Sequence, residues 1–365
     1  MVFSSAIFIF LFLPITIFFY FICNERCKNL CLLLASLFFY TWGEPKYIVL
    51  MLISIIINYI FGLCIENANK YKIVLLAIII TINLGLLFYF KYFNFFIANV
   101  TRILPLNVEL PNIALPIGIS FFTFQIMSYV IDVYWGNVKA QKNIFNLGLY
   151  ISFFPQLIAG PIVRYLDIEK MINSRSVDRD QIYLGIKKFM LGFSKKILIA
   201  DQLAPFVNSI FSKNGISGLA AWMGAIAYAL QIFYDFSGYS DMAIGLGRIF
   251  GFEFVENFNY PYISSSIKEF WRRWHISLST WFKDYVYIPL GGSRCSVLRS
   301  YSNLIVVFFL TGFWHGASWN FIVWGLYYAF FLIVERIIKN TWGGGSSRFS
   351  TSLCAYCNYN RVGLF

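Results

Sequence analysis

The chain's 365 residues contain two histidines, His275 and His315, and each lies in a dense aromatic setting. His315 sits in Thr311-Gly312-Phe313-Trp314-His315-Gly316-Ala317-Ser318-Trp319, within an apolar run that starts after Arg299. Helix counted from Tyr301 rises about 21 Å by His315, well inside a hydrocarbon layer of about 30 Å. An ionisable group at that depth is costly and marks a candidate functional site. A neutral imidazole there is the form that takes a proton from a hydroxyl as a general base. Gly312 and Gly316 allow a substrate or another backbone to come close, and they weaken the helix at that point. A histidine that only hydrogen-bonds between helices explains the same pattern, and both readings stand on residue chemistry alone.

His275 belongs to Phe270-Trp271-Arg272-Arg273-Trp274-His275-Ile276-Ser277-Leu278-Ser279-Thr280-Trp281-Phe282-Lys283-Asp284-Tyr285. Trp271, Trp274, Leu278 and Trp281 recur at helical spacing, which predicts one amphipathic helix lying on or dipping into a membrane. In one reading its Trp and Arg residues are interfacial anchors. In the other, Arg272 and Arg273 receive an anionic donor while His275 sits at a tunnel mouth or beside His315. Asp235 and Asp241, in Tyr234-Asp235-Phe236-Ser237-Gly238-Tyr239-Ser240-Asp241, are six residues apart and do not share a face of a regular helix. Ser237-Gly238 is expected to break the helix and turn both carboxylates toward one polar pocket, where structural hydrogen bonding competes with a chemical role. Walker-type loops, a dinucleotide glycine pattern and His-x-x-x-His spacing are absent from the sequence, so it supports neither nucleotide nor metal chemistry.

These residues need an apolar frame, and the composition supplies one. Hydrophobic residues make up 59% of the chain and charged ones 13%, against about a quarter charged in soluble domains, which excludes water-soluble packing. The net charge of +12 does not indicate nucleic acid, because the basic residues gather in interhelical loops where the positive-inside rule accounts for them. Cys23, Cys27, Cys31 and Cys64 read as apolar packing, and Cys354-x-x-Cys357 is a weak metal or redox signal.

Runs at Ser4–Cys23, Leu30–Trp42, Tyr47–Ile65, Ile73–Ile97 and Ile113–Tyr134 read as five spans, the first as a retained helix rather than a cleaved signal. Ile144–Val163 carries Pro155, Gly160 and Pro161, which suits a re-entrant segment packed inside protein. Further runs occur at Ile197–Phe211, from Leu219 to about Tyr239, and at Asn303–Val334, the last expected to break near Gly312 and Gly316. With the N-terminus outside, 21 of the 29 Lys and Arg fall in inside loops.

The ordered motifs Met1-Val2-Phe3-Ser4-Ser5, Pro155-Gln156-Leu157-Ile158-Ala159-Gly160-Pro161, Phe193-Ser194-Lys195-Lys196, Asp235 to Asp241, Phe270 to Asp284, Tyr287-Ile288-Pro289-Leu290-Gly291-Gly292 and Trp314-His315-Gly316 resemble the membrane-bound O-acyltransferase (MBOAT) family. The branch resembled is that of bacterial alginate and peptidoglycan O-acetyltransferases, and the resemblance reaches about Arg336. It implies an all-α polytopic bundle with re-entrant and interfacial helices around a tunnel. It implies His315 as the essential histidine and His275 as the second polar position of the active site. Arg272, Arg273, Trp274, Asp235, Asp241 and Trp314 are then expected to bind substrate, with no metal and no bound cofactor. The implied donor is acetyl-coenzyme A or another acyl thioester from the cytoplasm. The implied acceptor is an envelope polysaccharide, reached through a periplasmic acetyl-transfer partner, with the enzyme surrounded by lipid in the bacterial inner membrane.

Residues 1–339 read as the membrane domain lacking the family's last spans, and residues 340–365 as a polar tail. Shifted by one base, permissible codons for Leu353–Phe365 spell an apolar stretch, so a frameshifted, truncated product is expected. Two other functions compete: a proton-coupled transporter or flippase using His315, Asp235 and Asp241 as a relay, and an inactive scaffold.

Overall fold

The computed structural model describes residues 2–104, 110–213 and 215–342; the Cys354 and Cys357 pair and the tail from residue 343 lie outside the described residues. Among the described residues every regular element is helical. Apolar side chains face outward in quantity: Phe10 is 79% exposed and Leu219 73%. That surface suits hydrocarbon, where helices satisfy every backbone group internally. Among the described residues, five helices are long and apolar enough to cross a membrane: Ile48–Asn67, Lys72–Ile103, Gly218–Ile249, Val297–His315 and Trp319–Thr341.

The chain divides into two compact units, residues 1–190 with 242–255 and residues 191–241 with 256–365. In the first, a π-helical turn Phe8–Phe12 leads into α1 (Leu13–Ile22). α2 (Lys28–Gly43), α3 (Ile48–Asn67), α4 (Lys72–Leu87) and α5 (Phe93–Ile103) follow. α6 (Ile119–Trp135) is shorter than the expected run and starts only after left-handed Gly118. It is buried along most of its length and serves as the unit's central helix. The segment with Pro155 and Gly160 is broken and buried: α7 (Ile144–Ser152) ends in a sharp turn and α8 (Phe154–Leu157) runs for one turn. Tyr150 fastens it by donating to the carbonyls of Gln125 and Val163, both at 3.0 Å. α9 (Tyr165–Asn173) and most of α10 (Arg179–Ser194) complete the unit.

The second unit holds a π-helical turn Lys195–Ala200, α11 (Asp201–Phe211) and residues 218–241 of α12 (Gly218–Ile249). α12 runs unbroken through Ser237-Gly238, which corrects the expected break. The glycine there serves close packing: a Cβ on Gly238 would meet the carbonyl oxygen of Gly192 and the Lys195 side chain. α13 (Ile267–Arg273) and α14 (Ile276–Phe282) come next, then a π-helical turn Lys283–Tyr287. α15 (Val297–His315) and α16 (Trp319–Trp342) form a closing hairpin. Of the two breaks expected there, only the one at Gly316 occurs. Helix continues through Gly312 because that residue and Gly325 let the two backbones touch: a Cβ on Gly312 would strike the carbonyl of Phe321, and one on Gly325 that of Phe308.

Two outcomes follow. Gly325→Val forces α15 and α16 apart and lowers stability by about 1–3 kcal/mol, the usual cost of overpacking, which thermal unfolding in detergent measures. If the loops rich in Lys and Arg are cytoplasmic, a cysteine at exposed Ser293 reacts with a membrane-impermeant maleimide in inverted vesicles and is protected in intact cells.

Candidate active site

The site begins with the cap on α13. Ser266 accepts a hydrogen bond from the Glu269 amide at 3.0 Å, and the Glu269 carboxylate accepts from the Ser265 amide and hydroxyl at 3.0 and 2.9 Å. Glu335 of α16 accepts the Ile267 amide at 2.8 Å and the Lys268 amide at 3.4 Å, so with Glu269 three of the helix's first donors are satisfied. Phe270 and Trp274 then bury against Trp324 and Tyr328 of α16.

α13 stops at Arg273. Trp274 is extended, and His275 takes the left-handed conformation, φ 45° and ψ 54°, before α14 starts. The expected single amphipathic helix is therefore two short helices at an angle. Of the stripe, Trp274, Leu278 and Trp281 are each at most 3% exposed and pack inside protein, while Trp271 is half-buried. The turn is set by Asn257, a residue that gave no signal in the sequence. Its backbone carbonyl accepts the Ile276 amide at 2.9 Å, and its Oδ1 accepts the Ser277 amide at 3.2 Å and the Ser277 hydroxyl at 2.9 Å. Nδ1 of His275 lies 3.1 Å from the same Oδ1.

His315 ends α15, with its ring edge-on to Trp324 at 5.1 Å between centroids. Trp314 lies between the histidines, 5.1 Å from the ring of His315 and 6.2 Å from that of His275. Both histidines line one cavity of about 200 Å³, together with Thr311, Lys268, Arg272 and Lys283. The three cations are exposed, His315 is half-buried and His275 is 2% exposed, so positive charge marks the open side and His275 the closed one. Partial burial pushes the Lys268 ammonium below its usual pKa, helped by Arg272, Lys339 and Arg336 nearby and opposed by Glu335. Such a crowd of cations favours an anionic ligand. Lys268 and Lys283 were not singled out as site residues from the sequence.

The remaining candidates fall elsewhere. Trp274 and Arg272 line the cavity, whereas Arg273 pairs with Glu269 at 2.9 Å and donates to the Asn259 carbonyl. Asp235 and Asp241 do not converge, because α12 keeps its regular turn between them. Lys196 reaches Asp235 and Lys195 reaches Asp241, each at 2.6 Å, and neither carboxylate lines the cavity. A relay through both aspartates to His315 therefore lacks its geometry. Among the described residues no cluster of His, Cys, Asp and Glu is placed to hold a metal.

Fold and site together define a multi-pass helical membrane protein with a two-histidine cavity that opens onto cations. The chain belongs to the membrane-bound O-acyltransferase family, whose model matches residues 138–342 and so takes in both histidines and the whole α13–α16 frame. It is 45% identical to the "Probable alginate O-acetylase AlgI" of Azotobacter vinelandii, over 93% of this chain and 69% of that protein. The same named protein of Pseudomonas aeruginosa is also 45% identical, over 93% of this chain and 66% of its own length. A peptidoglycan O-acetyltransferase of Helicobacter pylori is 40% identical over 92% of this chain and 70% of that protein. The chain thus spans about two thirds of the length of these relatives.

Two tests probe the frame around the cavity. Asp241→Asn removes the carboxylate partner of half-buried Lys195 and lowers stability by about 1 kcal/mol, the upper end for partly exposed ion pairs, read by thermal unfolding. The Ser265 amide and hydroxyl, with Arg273, hold the Glu269 carboxyl below its usual range. A depressed carboxylate stabilises above its unfolded pKa and loses that contribution as pH falls through the folded one. The α13 amides therefore exchange faster only below about pH 4, and Glu269→Gln abolishes that dependence.

Proposed function

We propose that this chain transfers acetyl from a thioester on the cytoplasmic side of the bacterial inner membrane to hydroxyls of an envelope polysaccharide. The supporting observation is the cavity walled by both histidines and edged by Lys268, Arg272 and Lys283. The named relatives act on alginate or peptidoglycan, two hydroxyl-bearing polymers of the cell envelope. In this reading the cations receive the anionic part of the donor. His315 takes the proton of the acceptor hydroxyl as its oxygen bonds to the thioester carbonyl carbon, the carbon–sulfur bond breaks, and the leaving thiolate receives that proton. His275 assists in positioning or proton traffic. Packed aromatic side chains around the histidines keep water from hydrolysing the thioester. Where the polymer lies beyond reach of the cavity, a periplasmic partner carries the acetyl onward.

Membranes supplied with radiolabelled acetyl donor test this. His315→Ala at unchanged protein level reduces transfer about 10²- to 10⁴-fold, the usual worth of a positioned general base. Wild-type transfer in the variant would end the assignment. Lys268→Gln raises KM for the thioester and leaves kcat close to wild type, because its charge serves binding alike in ground and transition states.

A further inference from the structure

We propose that Asn257 is a positioning residue that fixes His275 with its proton on Nδ1, so that Nε2 is the nitrogen able to accept a proton. Asn257 is 1% exposed and uses both ends of its amide: Nδ2 donates to Ser240 of α12 at 3.0 Å, and Oδ1 faces the Ser277 amide, the Ser277 hydroxyl and His275 Nδ1. An amide side chain can be turned over in many settings, but here it cannot. The backbone N–H of Ser277 only donates, so the atom facing it must be the oxygen. An imidazole nitrogen 3.1 Å from that oxygen must itself donate. A neutral imidazole has one ring proton, which leaves the lone pair on Nε2.

The surroundings hold this arrangement. A left-handed backbone is unfavourable at a residue with a Cβ, and the two amides that follow His275 both bond to Asn257, which keeps the turn in place. Phe236 of α12 stands edge-on to the imidazole at 4.7 Å, and Trp314 approaches at 6.2 Å, so the ring is walled against turning over. The charged side chains lining the same cavity, Lys268, Arg272 and Lys283, are all cations. A neutral amide orients the ring beside them without drawing a second proton onto it, which a carboxylate in that place would do. The catalytic consequence rests on the acyltransferase reading above; the tautomer does not.

The test uses the full chain labelled with [15N]histidine, which gives just two imidazole spectra, with His315→Asn assigning them. At a pH where both rings are neutral, His275 shows a protonated Nδ1 and a bare Nε2. The reverse tautomer in the wild-type protein would overturn the proposal whether or not any variant folds. Asn257→Leu mixes the tautomers and lowers acetyl transfer about 10- to 100-fold, as loss of an orienting partner does elsewhere. Asn257→Asp, which keeps an acceptor at that place, restores a protonated Nδ1 and raises the pH at which Nε2 loses its proton. Full transfer by Asn257→Leu with the tautomer lost would refute the positioning role. Should the wild-type chain show the Nδ1–H form and transfer no acetyl, the fault would lie with the acetyltransferase reading and not with Asn257.

Discussion

The left-handed turn at His275 separates α13 from α14 and is held through two amides and a hydroxyl by the single buried residue Asn257. A backbone geometry that costs about 1–2 kcal/mol persists only where neighbours over-determine it. Here the turn decides which side chains face the cavity. Were α13 to continue straight, Trp271, Trp274, Leu278 and Trp281 would share one face. With the turn, Trp281 packs against Phe282 and Tyr285, while Trp274 and Leu278 wall the space that also holds His315.

Around that turn, charge is sorted by how much of it can be neutralised. Asp235 and Asp241 are spent on Lys196 and Lys195, and Glu269 on Arg273 and the start of α13. Partial burial first, and then Arg272, Lys339 and Arg336 nearby, disfavour protonated Lys268, with Glu335 acting against them. Structural pairs hold helices at fixed crossings, whereas like charges kept together are unfavourable by themselves and suit a site that an anion completes. The same division explains why Arg272 and Arg273, neighbours in sequence, have different surroundings: one lines the cavity and the other ties α13 to Asn259.

Much of this was legible in the residues. Apolar runs of spanning length, the breakers at Pro155 and Gly160, and the rarity of histidine led to a membrane helical frame with His275 and His315 as the chemistry. The helical frame survives because it depends on short-range physics, hydropathy over about 20 residues and the missing N–H of proline, whereas the histidines are candidates by the cost of a polar ring in hydrocarbon. Where short-range reasoning went astray, a distant partner had overruled it. Ser237-Gly238 looked like a break but is continuous helix, because Gly238 is needed for contact with Gly192 and Lys195. Gly312 likewise serves the crossing of α15 with α16.

The sequence by itself determined the apolar character, the positions of most helices, two aromatic-flanked histidines, one of them beside Arg272 and Arg273, and, through its ordered motifs, the family. Those properties follow from composition and local spacing, which every chain carries before it folds. Only the tertiary structure decided that His275 and His315, 40 residues apart, share one cavity, that Lys268 and Lys283 edge it, and that Asn257 holds the turn. Each of these is a contact between residues whose separation along the chain carries no period. Their meeting depends on how α12 to α16 pack, and that is settled by the summed burial of many side chains rather than by any residue's own preference.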